Sequence, residues 1–407
     1  MTKEKSLIIG GGQAACQTAV SLKSKGYEGE IKIFCAENYL PYQRPPLSKK
    51  FLLGELDKER LFFKPDKFYD ENEISISLKS YVQEIDPKSK EIYLANNKKE
   101  NYDNLVLATG TKPRKIDLTS NIENRVFYLR SIDDVLNIRE KLRVSKKVTI
   151  IGGGYIGLEV AAILNKLGLK VTIVEMASRI LERVTSDIIS DFYMKLHQDA
   201  GVEVITSTSV EGLSENNESI EVFTSNGKIS SDFVIVGIGV LPNDSIASKA
   251  GIKVENGILV DQFCKTSDDS IFSAGDCTNH PNLFYKKNIR LESVHNAIEQ
   301  GKTIASYIVG EKIAYNQVPW FWSDQYEAKL QIVGLIDGYD EIVVRGDKNK
   351  SSFAVFYLKN NKIIASDCVN RPSEHMMSRK LIFEKISVEK DRLSDESIPI
   401  KELDKLT

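Results

Sequence analysis

The chain has 407 residues, of which 42% are hydrophobic and 28% are charged, and its formal net charge is −2. This length and composition predict two or three ordinary globular domains, and the balanced charge argues against a general nucleic-acid-binding protein. No apolar run approaches the roughly 20 residues that a membrane-spanning helix needs, so no membrane association is expected.

The first predicted elements form a βαβ unit over residues 6–37, "SLIIGGGQAACQTAVSLKSKGYEGEIKIFCAE". Gly10 and Gly12 predict a tight turn whose backbone approaches a pyrophosphate at the helix N-terminus, and Ala15 occupies the third small position. Glu37 ends the second strand, where a carboxylate can accept from ribose hydroxyls. The strand begins within six residues of the start, which leaves no room for a signal peptide and predicts a cytoplasmic protein.

A stiff basic loop follows at residues 40–51, "LPYQRPPLSKKF", and it contains no cysteine. Further on, "NYDNLVLATGTKPR" at residues 101–114 reads as a short buried strand that ends in small residues, which let a loop pass close to a ligand. The segment "SDFVIVGIGVLPN" at residues 231–243 has the same pattern. Both segments predict a strand that returns to a sheet before the chain crosses into another domain.

The N-terminal pattern repeats at residues 147–175, "KVTIIGGGYIGLEVAAILNKLGLKVTIVE", which predicts a second dinucleotide site. All three glycine positions are filled there, by Gly152, Gly154 and Gly157. Two such sites in one chain indicate flavin and nicotinamide nucleotides, because hydride passes between them. Glu175 ends the second strand with no arginine directly after it, which favours NADH over NADPH, although Arg179 lies close enough to leave NADPH open.

The last third of the chain contains further predicted strands and helices. Asp276 follows a predicted strand in "IFSAGDCTN", and residues 290–310 have apolar residues at helical spacing. From residue 320 onward, antiparallel strands and one helix predict a small α+β domain. The predicted fold class is therefore α/β, with two Rossmann-like domains and a small α+β C-terminal domain. The predicted domains are an FAD-binding domain at 1–114 and 242–319, an NADH-binding domain at 115–241, and an interface domain at 320–407.

Eight motifs in order carry a resemblance to a known family: "IIGGGQAA", "PYQRPPLSK", "LATGTKPR", "IIGGGYIGLEVAA", "VGIGVLPN", "AGDC", "ESVHNAIEQGK" and "VPWFWSDQY". Over almost its whole length the chain resembles the pyridine nucleotide-disulfide oxidoreductases. Within them it is most similar to the NADH-dependent ferredoxin reductases that serve bacterial oxygenases. The resemblance implies a glutathione-reductase-like fold, bound FAD, NADH as donor and a monomer. The same branch includes rubredoxin reductases and the mitochondrial apoptosis-inducing flavoprotein.

The resemblance also implies roles for individual residues. The expected FAD contacts are Gly10, Gly12, Ala15, Glu37, Arg44, Lys49, Arg114, Asp276, Val294 and Trp320. The expected NADH contacts are Gly152, Gly154, Gly157, Glu175 and Gly239. Lys49 is expected beside flavin N5, with Glu159 paired to it across a domain boundary, and these two are the candidate catalytic residues. A solvated loop cation at Lys49 and a helix-dipole role for Glu159 are the alternatives.

The cysteines decide the expected acceptor. The five are scattered, form no C-x-x-C pair, and leave the whole stretch between Cys35 and Cys264 without a thiol, so neither a zinc site nor the thiol relay of related disulfide reductases is available. Electrons must then leave directly for an outside acceptor, and we expect a [2Fe-2S] ferredoxin that supplies an oxygenase. Its expected docking surface is basic: Lys286, Lys287, Arg290, Arg371 and Arg379.

Other functions remain open at this point. A rubredoxin reductase or an NADH oxidase has the same cofactors, and a redox-regulated signalling flavoprotein is an alternative of another class. No metal ion and no nucleic acid are expected. The identity of the ferredoxin, the terminal oxygenase, the pathway and the strictness for NADH are left undetermined by the residues.

Overall fold

The structure is a computed structural model that describes residues 3–117, 122, 124–216 and 218–403. By its internal contacts the chain divides into two compact units. The first unit comprises Met1–Arg44, Asp57–Lys112 and Val240–Gln317. The second comprises Pro45–Leu56, Pro113–Gly239 and Val318–Thr407. The three-domain division expected from the sequence stays a prediction.

The described elements are as follows, in chain order. The strands are β1 Lys5–Ile9, β2 Glu30–Phe34, β3 Ile74–Ser77, β4 Val82–Asp86, β5 Glu91–Leu94, β6 Lys99–Asn101, β7 Asn104–Leu107, β8 Thr111–Pro113, β9 Val126–Phe127, β10 Lys147–Ile151, β11 Lys170–Val174, β12 Glu203–Ile205, β13 Val210–Glu215, β14 Ile220–Thr224, β15 Gly227–Ser231, β16 Phe233–Val236, β17 Val240–Pro242, β18 Ile258–Leu259, β19 Ile271–Ser273, β20 Thr278–Asn282, β21 Lys287–Ile289, β22 Trp320–Gln325, β23 Ala328–Gly334, β24 Glu341–Asp347, β25 Ser352–Lys359 and β26 Lys362–Val369. The α-helices are α1 Gln13–Ser24, α2 Lys50–Leu53, α3 Asp66–Glu71, α4 Ile132–Leu142, α5 Tyr155–Lys166, α6 Asp187–Asp199, α7 Ser245–Lys249, α8 Val294–Ile308, α9 Pro372–Phe383 and α10 Lys390–Ser394.

The first unit is built on a parallel sheet with strand order β19-β7-β1-β2-β3. Leu7 and Ile8 on β1 point to opposite sides of the sheet and are both fully buried, as expected for a parallel sheet covered on both faces. The chain order of the strands reverses beside β1, and ligands of such sheets bind beyond the carboxyl ends of the strands at that point. The turn from β1 to α1 is therefore in the position of a nucleotide site.

The second unit repeats this arrangement with a parallel sheet of order β12-β11-β10-β16-β9. Val148 and Ile150 on β10 are buried, and α5 follows directly after the turn at the end of that strand. The second unit also contains a separate antiparallel sheet of order β13-β14-β15. The two glycine motifs of the sequence thus each begin a helix after the central strand of a parallel sheet.

The C-terminal part of the second unit is an antiparallel sheet of order β22-β23-β26-β25-β24, with α9 following β26. Arg345 on β24 is 3% exposed and donates to the backbone oxygens of Asp395 and Ile398, at 2.6 Å each. These bonds attach the C-terminal segment to the sheet. The predicted fold class, two Rossmann-like sheets with a small α+β C-terminal domain, is confirmed.

Candidate functional site

The first glycine turn leaves space for a ligand at the start of α1. Gly10 has φ +134°, and a Cβ there would lie 2.1 Å from the backbone oxygen of Ala108, so that only glycine fits. Gly12 precedes α1 without a side-chain cap, and among the described residues no heavy atom lies within 4 Å of a Cβ placed on it. The N–H groups of the first helical turn therefore face an open cradle, which fits a pyrophosphate.

Glu37 and Arg44, both predicted FAD contacts, lie together in the first unit. Arg44 Nη2 donates to Glu37 Oε1 at 2.5 Å, and the Tyr42 hydroxyl donates to Glu37 Oε2 at 2.6 Å. The Arg44 guanidinium also stacks over the Tyr42 ring, with 4.5 Å between its carbon and the ring centroid. Tyr42 was not predicted, although its place two residues before Arg44 in the proline loop is a signal that could have found it. Together they fix the carboxylate at the end of β2.

The second glycine turn leaves the same open space at the start of its helix, and a carboxylate is hydrogen-bonded to its backbone. Among the described residues nothing lies within 4 Å of a Cβ on Gly154, which precedes α5 without a side-chain cap. Glu175 accepts from the N–H of Gly153 at 2.6 Å and from the N–H of Ala177 at 2.8 Å. These two bonds hold the carboxylate beside the turn, where it fits the ribose of a dinucleotide.

The third motif position differs between the two turns for a steric reason. A Cβ on Gly157 would lie 2.1 Å from the backbone oxygen of Gly152, so this position requires glycine. Its counterpart Ala15 carries a Cβ and is fully buried in the first unit. The departure from the motif at Ala15 is thus accommodated within the packing of α1.

Arg179, the residue that left NADPH open, is held by its own segment. Its Nη1 donates to Ser190 Oγ at 2.5 Å and its Nη2 to the backbone oxygen of Glu182 at 3.2 Å. A 2′-phosphate near Glu175 would meet a carboxylate and an arginine already engaged elsewhere. This arrangement agrees with NADH as the donor.

Lys49 and Glu159 form an ion pair inside the second unit. Lys49 Nζ lies 2.6 Å from Glu159 Oε2, and the side chains are 17% and 3% exposed. Ser48 Oγ donates to the same carboxylate oxygen at 2.5 Å, and Ser323 Oγ donates to Oε1 at 2.7 Å. The expected contact between Lys49 and Glu159 is present, and the internal contacts place both residues in one unit. Their catalytic role stays a prediction.

The remaining predicted residues are distributed over both units. In the first, Asp276 is half-buried and its backbone oxygen accepts from Arg290, and Val294 is the half-buried first residue of α8. In the second, Arg114 is exposed and its N–H donates to the backbone oxygen of Gly239 at 2.9 Å. Trp320 begins β22, half-buried, with the Arg379 guanidinium 5.2 Å from its ring.

No thiol of this chain is exposed for chemistry. All five cysteines are free and buried, and burial raises the pKa of Cys35 to about 12. Burial also lowers the pKa of His280 and of His375 to about 4, the latter helped by the nearby charge of Arg379. A thiol whose pKa is raised in this way is uncharged at neutral pH and is a poor nucleophile.

Two kinds of feature are absent from the described residues. The described part of the chain holds no group of three or more histidine, cysteine, aspartate or glutamate side chains arranged for a metal ion. Within the same residues, none of the helices combines the length and the apolar character that crossing a bilayer requires.

The fold and the two glycine cradles define a flavin- and nicotinamide-dependent oxidoreductase, and comparison with known proteins agrees. The family model for pyridine nucleotide-disulphide oxidoreductases matches residues 4–301, and a model described as reductase C-terminal matches residues 320–404. The chain belongs to the pyridine nucleotide-disulphide oxidoreductase family, whose members use FAD and NAD(H).

Individual relatives narrow the class. The chain is 39% identical over 404 residues to the putidaredoxin reductase of Pseudomonas putida, covering 98% of this chain and 96% of that one. It is 38% identical over 401 residues to the 5,5′-dehydrodivanillate O-demethylase ferredoxin reductase subunit of Sphingobium sp., covering 98% and 97%. The crystal structure of a covalent putidaredoxin reductase–putidaredoxin complex matches with a TM-score of 0.96 and 38% identity over 100% of both chains.

The glycine cradles predict a separable effect on the two nucleotides. We expect Gly154→Ala to fold normally, because its Cβ meets no described atom, yet to weaken NADH binding at least about tenfold, because the methyl group occupies the ligand's space. FAD content should not change. Isothermal titration with NAD⁺ and the flavin absorbance of the purified protein measure the two effects.

Gly157→Ala is the matched control for this prediction. Its Cβ would lie 2.1 Å from the oxygen of Gly152, so this variant should lose thermal stability as well as NADH binding. If Gly154→Ala binds NAD⁺ as the wild type does, the open cradle before α5 is not the pyrophosphate site.

Proposed function

We propose that this chain is the reductase component of an oxygenase system, which takes electrons from NADH and delivers them one at a time to a [2Fe-2S] ferredoxin. The observation that carries this function is similarity to ferredoxin reductases over the whole length, including the C-terminal domain at 320–404. The buried cysteines support it, because no thiol is available to store the electrons on the way.

FAD supplies the chemistry when it is bound, since it accepts a hydride from NADH and can return electrons singly. The protein's residues bind and orient. We assign Gly10, Gly12 and Ala15 to the FAD pyrophosphate, with Glu37 on the adenosine ribose and Arg44 beside the phosphates. Arg114, Asp276, Val294 and Trp320 are assigned to the rest of FAD. Gly152, Gly154, Gly157, Glu175 and Gly239 are assigned to NADH.

Lys49 acts electrostatically in this proposal. An ammonium group held by Glu159 in a site with little solvent offsets the negative charge that FAD acquires on reduction. Glu159 keeps the ammonium in one place, and the residues around the pair exclude water. This role needs no proton transfer.

The basic docking residues are not equivalent. Arg290 pairs with Glu292 at 2.8 Å, and Arg371 pairs with Glu374 at 3.3 Å and with Glu396. These arginines already have partners within the chain. Three other cations of this set are exposed and so accessible to an acidic ferredoxin: Lys286, Lys287 and Arg379. We also propose that the protein is cytoplasmic and monomeric, and that the domains are divided as the sequence predicts.

The proposed function is tested by comparing electron acceptors. Purified protein carrying FAD is mixed with NADH and either a [2Fe-2S] ferredoxin, a rubredoxin, or air alone, and NADH oxidation is followed at 340 nm. We expect rapid turnover with the ferredoxin and slow turnover in air. Fast oxygen consumption without an iron–sulfur protein would identify an NADH oxidase, and a preference for rubredoxin would identify a rubredoxin reductase. Little turnover with any acceptor would favour the signalling flavoprotein.

A further inference from the structure

We infer that Ser323 and Gln325 of β22, with His197 of α6, are positioning residues that orient Glu159 toward Lys49 for the reduction of FAD by NADH. All of these residues belong to the second unit. The inference rests on the proposed function, because it concerns the first electron-transfer step of that function. It goes beyond the ion pair, because it assigns a role to three buried polar side chains that bind neither nucleotide.

The contacts form one continuous chain. Ser323 Oγ lies 2.7 Å from Glu159 Oε1, and Gln325 Nε2 lies 3.2 Å from Ser323 Oγ. Gln325 Oε1 lies 2.9 Å from His197 Nε2. Ser323 and Gln325 alternate along β22, so that both side chains point to the same side of the strand. This series of hydrogen bonds thus runs from α6 through β22 to the ion pair of Lys49 and Glu159.

Every hydrogen-bond donor in this series of side chains points toward the carboxylate of Glu159. Glu159 can only accept when it is ionised, so Ser323 must donate its hydroxyl hydrogen to it. The free lone pairs of Ser323 then accept from the amide nitrogen of Gln325, whose carbonyl oxygen must accept from His197. His197 therefore carries its proton on Nε2. Burial lowers the pKa of His197, which keeps the ring neutral with Nδ1 unprotonated.

Because these side chains are buried, their hydrogen bonds have few alternative arrangements. Ser323, Gln325 and His197 are all 0% exposed, and Glu159 is 2% exposed. Water cannot readily replace a missing partner at such positions, so each group has one well-satisfied arrangement. Glu159 consequently accepts on both oxygens, from Ser323 on one side and from Ser48 and Lys49 on the other. Loss of the Ser323 hydroxyl releases one oxygen and lets the carboxylate turn away from the ammonium.

The first test compares Ser323→Ala with Ser366→Ala. Ser366 is a fully buried serine of the same sheet that lies outside the chain of hydrogen bonds to Glu159. We expect Ser323→Ala to slow FAD reduction by NADH about tenfold in stopped-flow, as the loss of one hydrogen bond to a charged group predicts. NADH affinity and FAD content should match those of Ser366→Ala. Reduction as fast in Ser323→Ala as in Ser366→Ala would overturn the inference.

The second test needs no turnover. Protein labelled with ¹⁵N-histidine reports the ring tautomer, and His197 is assigned by its loss in His197→Gln. We expect the wild-type signal of a neutral ring protonated on Nε2, and a shift in the tautomer balance in Gln325→Leu. A ring protonated on Nδ1, or a charged ring at neutral pH, would contradict the direction of the chain. Wild-type protein that NADH does not reduce would refute the proposed function while leaving this result readable.

Discussion

Lys49→Met is expected to slow the reduction of FAD by NADH about a hundredfold while FAD stays bound. The ammonium is 2.6 Å from Glu159 and largely buried, so no solvent cation can take its place. Anaerobic stopped-flow measurement of flavin bleaching at saturating NADH gives the rate directly. An unchanged rate would mean that Lys49 only anchors the proline loop.

The same substitution should also destabilise the protein, and a second variant separates the two effects. Lys49→Met leaves the buried carboxylate of Glu159 without its cation, which costs about 3–5 kcal/mol in comparable buried pairs. Combining it with Glu159→Gln removes that charge and should restore most of the thermal stability. The reduction rate should stay low in the double variant. Recovery of the rate together with stability would show that the pair has a structural role alone.

Asp367→Asn is expected to stabilise the protein at neutral and higher pH. Asp367 on β26 is fully buried and accepts from Thr185 and from the Tyr357 hydroxyl at 2.6 Å. Burial raises the pKa of Asp367 from 3.8 to about 6, an effect that these hydrogen bonds only partly oppose. Tyr155, Tyr193, Tyr357 and Cys368 also interact with it electrostatically, and burial raises the pKa of each. The carboxylate is therefore ionised at neutral pH, and among the described residues no cation forms an ion pair with it.

The pH dependence follows from the direction of that shift. Below about pH 4 Asp367 is protonated in both the folded and the unfolded chain, and its ionisation does not affect stability. As the pH rises through about 6 the folded protein must ionise a buried carboxyl group, which lowers the free energy of unfolding by about 3 kcal/mol. The gain from Asp367→Asn should thus be largest near pH 8 and nearly absent near pH 4.

Thermal and urea unfolding between about pH 4 and pH 8 measure this effect. Asp70→Asn, which removes an exposed carboxylate on α3, is the control and should change stability little at any of these pH values. A gain for Asp367→Asn that does not depend on pH would show that the amide packs better and that ionisation is not the cause.

The two glycine turns were predictable from sequence because their motifs are local. The turn at Gly10 and the turn at Gly152 each combine a strand, glycines at fixed spacing, a helix and a terminal acid within about thirty residues. Backbone sterics alone require glycine where φ is positive or another carbonyl lies against Cα. The expectation for Lys49 and Glu159 was of another kind, because it came from a resemblance and not from spacing.

The residues that sequence reasoning missed are those whose partners are distant along the chain. Ser323 meets Glu159 from 164 residues away, and Gln325 meets His197 from 128 residues away. A serine or glutamine in a strand is usually an unremarkable polar residue, and nothing in "WFWSDQ" distinguishes one with a buried carboxylate beside it. Arg290 and Arg371 are a different case, because their partners Glu292 and Glu374 lie only two and three residues away, and these pairings were not predicted.

The sequence by itself determined the two glycine turns and the stretch between Cys35 and Cys264 that has no thiol, because these depend on residues adjacent in the chain or on their absence from a stretch of it. Only the tertiary structure decided which buried polar groups share hydrogen bonds around Glu159, that Arg179 is held by Ser190, and that Asp367 is fully buried. Hydrogen bonding and burial depend on neighbours in space, and the packing of strands and helices brings those neighbours together.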